Sequence, residues 1–556
     1  MTIRALSLVC LLVLALAVSV VADDGTILIP RDRLLADARQ LLEIIEASHP
    51  APYGKSGDRM QFHMEYQLAI SAIPDSGMTA VDFWELMLPL VASVDDSHTS
   101  LVQPVDSIDD GPGLPLDFKV IDEELIVVRI SDDRYSSLMG SKLRKVAGVS
   151  YYSLKNRLRN RVGADNRFTR MSVLRRSLGR RNSLASLVPE WTDTSEIRAS
   201  FELTDGSHKT FRFACPGDTT RSLVPSEPSV NLPSVRSNDL AYSFLDDDSS
   251  VAFLRIAALM RFREGFEANL YTGNTRAPGI AREAYRHFHG DSTLPSKAKT
   301  LFGLPSASET LVALLNDMKR VGAKDLIIDL RDNPGGIQAI RFILAYFLFG
   351  VDGLKSIPPN RIVTRLSELY CATYPKESVE WASKRCGVPL KTGDYDFSGF
   401  IDTTGWDDTW EQRQTEFETF FTAMPAFNRY YMTEDYHSPR VNINNLIVLC
   451  SPSTHSSAFC LMRDLKRHGA LVIGTPSGQS PNAHIDPLGF ALDHSGICGQ
   501  VSSCFWISEF GIKSLDDVVP IDIPLTMSNA AECNYDPDME VIIALRILEQ
   551  LHADNP

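Results

Sequence analysis

Hydrophobic and polar positions follow three different rhythms along this chain. Residues 31 to 100 carry apolar side chains at helical spacing. "RLLADARQLLEIIEASH" and "TAVDFWELMLPLVASV" are the two clearest stretches, each predicting a helix with one buried face. Pro50 stops the first, and the second runs down into "DDSHTSLV". From 112 to 220 the rhythm changes. "LPLDFKV", "EELIVVRI", "SKLRKVAGVS", "EIRASFELTD" and "KTFRFAC" alternate or run apolar between turn residues, as strands do. One helical stretch, "SLKNRLRNRVG", interrupts them.

From Leu240 onward, apolar strands alternate with helices. "SVAFLRIAAL" reads as a strand, "ASETLVALLNDMKRVG" as a helix closed by Gly322, and "KDLIIDL" as a strand apolar throughout. A strand of that kind belongs in a parallel sheet covered on both faces. "RDNPGG" turns the chain into the helix "IQAIRFILAYFLFG". Further on, "NLIVLC" leads through "SPSTH" into "SSAFCLMRDLKRH", Gly469 and the strand "ALVIG". That is a β-α-β unit with parallel strands and a right-handed crossover. The predicted class is α/β. The predicted organisation is a helical domain over 23–105, a β-rich module over 106–221, a Pro- and Ser-rich linker over 222–239, and an α/β domain over 240–556. Two stretches in the last, near 261–305 and 352–440, show no clear period.

The N-terminus adds a destination. Arg4 precedes "ALSLVCLLVLALAVSVVA", and Asp23 and Asp24 follow. A basic start, an apolar run and a Val-x-Ala ending describe a secretory signal over 1–22, with an uncleaved anchor as the other reading. Export to a periplasmic or extracellular space is expected, with no stable membrane span in the mature chain. The formal charge of −15 argues against nucleic acid as the main partner, because duplex binding needs a basic face. The basic run from Arg157 to Arg181 reads as a solvated face. Of nine cysteines, Cys10 leaves with the signal. Cys371 with Cys386, and Cys498 with Cys504, are the local pairs to test for disulfides, whose connectivity the sequence leaves open.

The chemistry gathers at the strand-to-helix turns. In open parallel sheets ligands bind beyond the carboxyl ends of the strands. Ser456 and Ser457 fall at that edge and at a helix N-terminus, where free N–H groups favour developing negative charge. Two readings stand side by side: helix caps, for which serine is a preferred residue, or a nucleophile whose neighbouring N–H holds an oxyanion. Gly335 and Gly336 form a second turn able to bring backbone close to a ligand, or a tight turn and nothing more. A serine nucleophile needs a base. His98, in "DDSHTSL", stands out among twelve histidines, with a surface or capping role as its alternative.

Taken together, these segments resemble the tail-specific, or C-terminal processing, serine peptidases. "LIIDLRDNPGG" is similar to that family's strand-turn signature and "SPSTHSSAF" to its nucleophile turn. "EIIEASHPAPY" and "SVDDSHTSL" resemble the branch that uses histidine in place of lysine, to which the tricorn core protease and the secreted chlamydial protease belong. The resemblance runs in order from about residue 31 to 550 and is weakest in the two stretches without period. It implies a crotonase-like or ClpP-like core and a Ser-His acyl-enzyme mechanism. By motif, Ser456 is the nucleophile, His98 the general base and Ser97 its helper. Gly335 or Gly336, with the Ser457 N–H, makes the oxyanion hole. Glu509 or Asp516 supplies an orienting acid. Gln479 stands where the lysine-type branch has its base, and Phe459 where the family usually has Glu. The β-rich module falls where the family often carries a PDZ-like domain.

The resemblance implies an exported serine endopeptidase acting on protein or peptide substrates, with no cofactor and no metal. The assembly is left open, a homodimer being one possibility. A catalytically inactive member that binds a ligand or peptide is the alternative. An unrelated esterase lacks its Gly-x-Ser-x-Gly elbow here, and a metallopeptidase its His-Glu-x-x-His helix.

Overall fold

A computed structural model describes residues 27–554 except 55–56, 105–112, 193–194, 215–229, 235–239, 246–249, 275–276, 291–295, 359–360, 399–409 and 508–517. The signal segment, Cys215 and most of the linker lie outside the described residues. No helix among the described residues is long and apolar enough to cross a membrane.

Alternating side chains along the central strands build the core. Six strands lie in the order Ile523–Pro524, Leu471–Gly474, Asn445–Cys450, Asp325–Asp329, Val251–Ile256 and Leu240–Phe244. All neighbours are parallel except the last pair. Leu254, Ile328 and Val448 point to one face, packed on the helices Ala307–Val321, Ala339–Ser356 and Ser457–Arg467. Phe253, Ile327, Ile447 and Leu449 point to the other, against the helix Met539–Asp554. Strands covered on both faces are apolar throughout, which is the pattern "DLIID" and "NLIVLC" display. Gly322, at φ 80°, closes the first of those helices by adopting the left-handed turn that a side chain resists.

Two further sheets dock on this core. Strands Leu116–Ile121, Glu124–Ile130, Lys142–Val146, Glu196–Glu202 and His208–Ala214 form an antiparallel sheet. Its own core surrounds Phe118, Val127, Leu143 and Phe201. Ile121, Ile126 and Val128 face away from that core and join the cluster under the central sheet, so the module is fastened to the α/β domain by apolar burial. A third sheet pairs the hairpin Ala483–Ala491 and Cys498–Ile507 with Arg361–Arg365, and with Ser100–Leu101 at the end of the N-terminal helices. Those helices span Arg31–Ser48, Arg59–Ser71 and Ala80–Ala92. Leu492 and Ile497 of the hairpin pack into their core.

Several sequence expectations need correction. The module contains three helices, Tyr151–Arg159, Arg167–Leu178 and Arg181–Leu187, where one was read. The latter two are rich in serine and arginine, which mask the apolar spacing of Phe168, Met171, Leu174 and Leu178. The stretch 261–305 holds the short helices Arg263–Thr272, Ala277–His289 and Lys297–Phe302, too brief to show a sustained period. The described residues of 352–440 include the strands Arg361–Arg365 and Tyr395–Asp396 and the helices Glu368–Thr373, Val379–Cys386, Trp410–Thr422 and Pro425–Tyr431. The cysteine pairs are not bridged. Cys498 and Cys504 sit six residues apart on one strand, about 20 Å at the strand rise. The Cys386 thiol instead donates to Asp396 Oδ1 at 3.3 Å.

Candidate active site

Adjacent parallel strands bring their following turns together. Asp325–Asp329 and Asn445–Cys450 are neighbours in the sheet, so the turns after Asp329 and Cys450 emerge side by side. They are stitched: Thr454 Oγ1 donates to Leu330 O at 2.8 Å, the His455 N–H to Asn333 O at 2.9 Å, and Ser457 Oγ to Gly336 O at 2.6 Å. Asn333 Nδ2 reaches Ile256 O on the next strand at 2.8 Å. Gly335 makes this closeness possible. A Cβ there would lie 2.5 Å from His455 O, 2.6 Å from Ser456 Cβ and 2.9 Å from the Ser457 nitrogen. Its φ of 94° is a second reason for glycine.

Ser456 sits where strand passes to helix, with φ 54° and ψ −126°. A residue with a Cβ is strained there. It makes no side-chain cap bond to the helix, so the capping reading of its hydroxyl lacks its defining contact. Its N–H is held by Gln479 Oε1. Gln479 is fully buried and stands on the loop after Gly474. Ser457 opens the helix Ser457–Arg467, so its N–H has no intrahelical acceptor. The Gly335 N–H, by contrast, donates to Asn333 Oδ1 at 2.8 Å. Of the three backbone groups expected in an oxyanion hole, this one is already engaged.

His98 arrives from the other end of the sequence. The loop after the helix Ala80–Ala92 is pinned by Asp96, whose carboxylate accepts from the His98 N–H at 2.9 Å, Thr99 Oγ1, and Ser502 Oγ at 2.6 Å. His49 adds a fourth contact. Its Nδ1 accepts the Ala51 N–H at 3.0 Å, so Nε2 carries the proton and donates to Asp96 at 3.3 Å. Burial opposes ionisation of Asp96, but the His49 hydrogen bond and the His484 and His98 imidazoles outweigh it and hold the carboxyl well below its usual range. His98 is buried, with Nδ1 3.5 Å from Ser97 Oγ and 3.9 Å from Asp96 Oδ1.

These segments meet. The His98 and His455 rings lie 4.8 Å apart between centroids, and Ser97 Oγ is 2.9 Å from His455 Nε2. The β-rich module supplies the third wall. Asp165 Oδ1 accepts the Ser97 N–H at 3.1 Å, and Gly163 lets this loop press on Asp96, whose carbonyl oxygen would stand 2.5 Å from any Cβ. Burial, with Asp96 nearby and His98 opposing, raises Asp165 to about 6. Burial, then the neighbouring His98, pushes His455 well below the usual histidine value.

Thus His98, Ser97, Ser456, Ser457 and both glycines lie on segments that touch. Glu509 and Asp516, expected as the orienting acid, lie outside the described residues. Among the described residues, the acids that approach His98 are Asp96 and Asp165, which sequence reasoning passed over. Asp96, two positions before the histidine in "DDSH", was the available signal; nothing local marked Asp165. Beside the site opens a cleft of about 1070 Å³ between the module and the α/β domain. Leu116, Val173, Arg176, Pro334, Ser453 and His455 line it. The basic run therefore does not simply face solvent. Arg175 bonds Asp117 and Asp332 across the cleft, and Arg176 donates to Ser172 and Ser453. Phe459, in the place of the family's usual Glu, is buried in the central core.

Residues 294–483 match the model for peptidase family S41. No curated protein matches the sequence. Among solved structures, mature CPAF is 13% identical with a TM-score of 0.55, over 95% of this chain and 99% of that one. Mature CPAF complexed with lactacystin is 14% identical with a TM-score of 0.54, over 93% and 98%. At these identities the likeness is one of fold, and it extends across all three parts of the chain.

Proposed function

We propose, from the match of residues 294–483 to peptidase family S41, that this chain is an exported serine endopeptidase working through Ser456 and His98. As a serine peptidase its substrates are proteins or peptides. In the proposed reaction Ser456 Oγ attacks the scissile carbonyl. His98 takes the hydroxyl proton and returns it to the leaving amine, and water then resolves the acyl-enzyme. With Nδ1 turned towards Ser97 and Asp96, Nε2 is the nitrogen that moves the proton. The Asp96 carboxylate stabilises the imidazolium formed on the way. The Ser457 and Gly336 N–H groups receive the developing oxyanion.

The observation that carries this reading is the joining of the early histidine loop to the late serine turn through Ser97, 2.9 Å from His455 Nε2. The Ser456 backbone supports it, since strain of this kind gathers where function holds a side chain out of its preferred conformation. The module lends a peptide-presenting role. Its edge strand His208–Ala214 is largely exposed, open to an added strand as in PDZ-like recognition.

The test is hydrolysis of casein and labelling by a fluorophosphonate, comparing the wild type with Ser456→Ala and His98→Ala. Wild type should hydrolyse casein and take up the label, and both variants should be silent, the histidine variant losing at least about 10³-fold. Labelling or hydrolysis that survives Ser456→Ala overturns the reading. A folded wild type inert in both assays favours the inactive, peptide-binding alternative.

A further inference from the structure

His98 is the centre of a second arrangement. One ligand atom each from His98, Asp165 and His455 lies within 4.8 Å of the other two. His455 Nε2 and Asp165 Oδ2 are 3.8 Å apart. A tetrahedral ion at about 2.0–2.1 Å from each ligand places neighbouring ligand atoms about 3.3–3.4 Å from one another. The observed triangle is therefore open by about 0.5 Å on its measured edge and by no more than about 1.5 Å on the others, within reach of side-chain rotation. Each ligand comes from a different part of the fold: the helical segment, the module and the nucleophile turn. Two imidazoles and one carboxylate suit a borderline transition metal and not Mg²⁺ or Ca²⁺, which prefer all-oxygen shells.

The surroundings support a cation here. The Ser97 N–H fixes Asp165 through Oδ1, and Oδ2 lies on the His455 side of the carboxylate. Asp96 adds a second buried negative charge beside His98. Arg176 opposes, because its guanidinium acts on His455 from the cleft side, and the Ser97 hydroxyl competes for His455 Nε2. The two carboxylates outnumber the one arginine.

We propose that His98, Asp165 and His455 form a three-ligand site for Zn²⁺ or a similar divalent transition metal, and that its occupation switches the peptidase off. A metal-bound imidazole has no lone pair with which to take the Ser456 proton. The switch rests on the serine peptidase reading; the site does not.

The test uses the chelator-treated full chain. Equilibrium dialysis with Zn²⁺ should find one tight equivalent per chain, weakened at least tenfold by His455→Ala and, separately, by Asp165→Asn. Peptide hydrolysis by the wild type should fall at least tenfold at one equivalent of Zn²⁺ and return with EDTA, while Mg²⁺ at the same concentration does nothing. Binding untouched by both substitutions, or no stoichiometric binding, overturns the site. Binding without loss of hydrolysis, or hydrolysis abolished by chelation, overturns the switch. If the stripped chain hydrolyses nothing, the peptidase reading fails and the switch falls with it, while dialysis still judges the site. If His455→Ala fails to fold, Asp165→Asn carries the same comparison.

Discussion

Removing the side chain of Ser456 should destroy activity and stabilise the protein, and two substitutions separate those effects. Ser456→Ala and Ser456→Gly both delete the hydroxyl. Only glycine also relieves the backbone at φ 54°, ψ −126°. A residue held in such a region costs on the order of 1–3 kcal/mol. Glycine returns about 0.5–1 kcal/mol of that through its freer unfolded chain. The glycine variant should therefore be more stable than the alanine variant by about 0.5–2 kcal/mol. The assay is calorimetry of both variants in one buffer. At about 2 °C per kcal/mol for a chain this large, the glycine variant should melt about 1–4 °C higher. Equal melting, or a more stable alanine variant, would refute the claim that the nucleophile turn stores backbone strain.

Gly335→Ala should lower kcat/KM by at least about 100-fold with the chain still folded by circular dichroism, because the new methyl enters the space of His455 O and Ser456 Cβ. Arg331→Met should cost about 3–5 kcal/mol in urea unfolding. Buried Arg331 bonds Asp329, Asp538 and Glu540 at once, and methionine would leave those carboxylates short of their cation. Burial is the largest influence on Glu267 and, with Glu264 adding to it, raises its pKa from 4.5 to about 7. The folded state then holds a proton that the unfolded state releases, so this group's contribution is full below about pH 4.5 and is lost as pH rises through 7. Glu267→Gln removes that dependence. Between pH 5 and 8 the variant should gain on wild type by on the order of 2 kcal/mol in urea, after allowance for partial exposure of the side chain.

The parts of this protein legible from sequence are those fixed by neighbours in the chain. The strands around Ile327 and Val448, the helix closed by Gly322 and the two turns at the sheet's carboxyl edge all follow from local periodicity and glycine placement. So does the candidacy of Ser456, since a strand-turn-helix step puts a residue at the crevice wherever it occurs. Two of the module's helices and those of 261–305 escaped, the former because arginine and serine mask their apolar spacing and the latter because they are too short to define a sustained period.

Tertiary structure alone decided what those residues face. Ser97 meets His455 across 358 positions of sequence, and Asp165 meets Ser97 across 68. No local pattern encodes a contact made by docking separate cores. The same docking chose Asp96 and Asp165 as the acids beside His98, engaged the Gly335 N–H with Asn333, and set Gln479 against the nucleophile's backbone. Periodicity reports which face of an element is buried; which charges and donors converge there depends on how the buried faces pack, and that is a property of the whole chain.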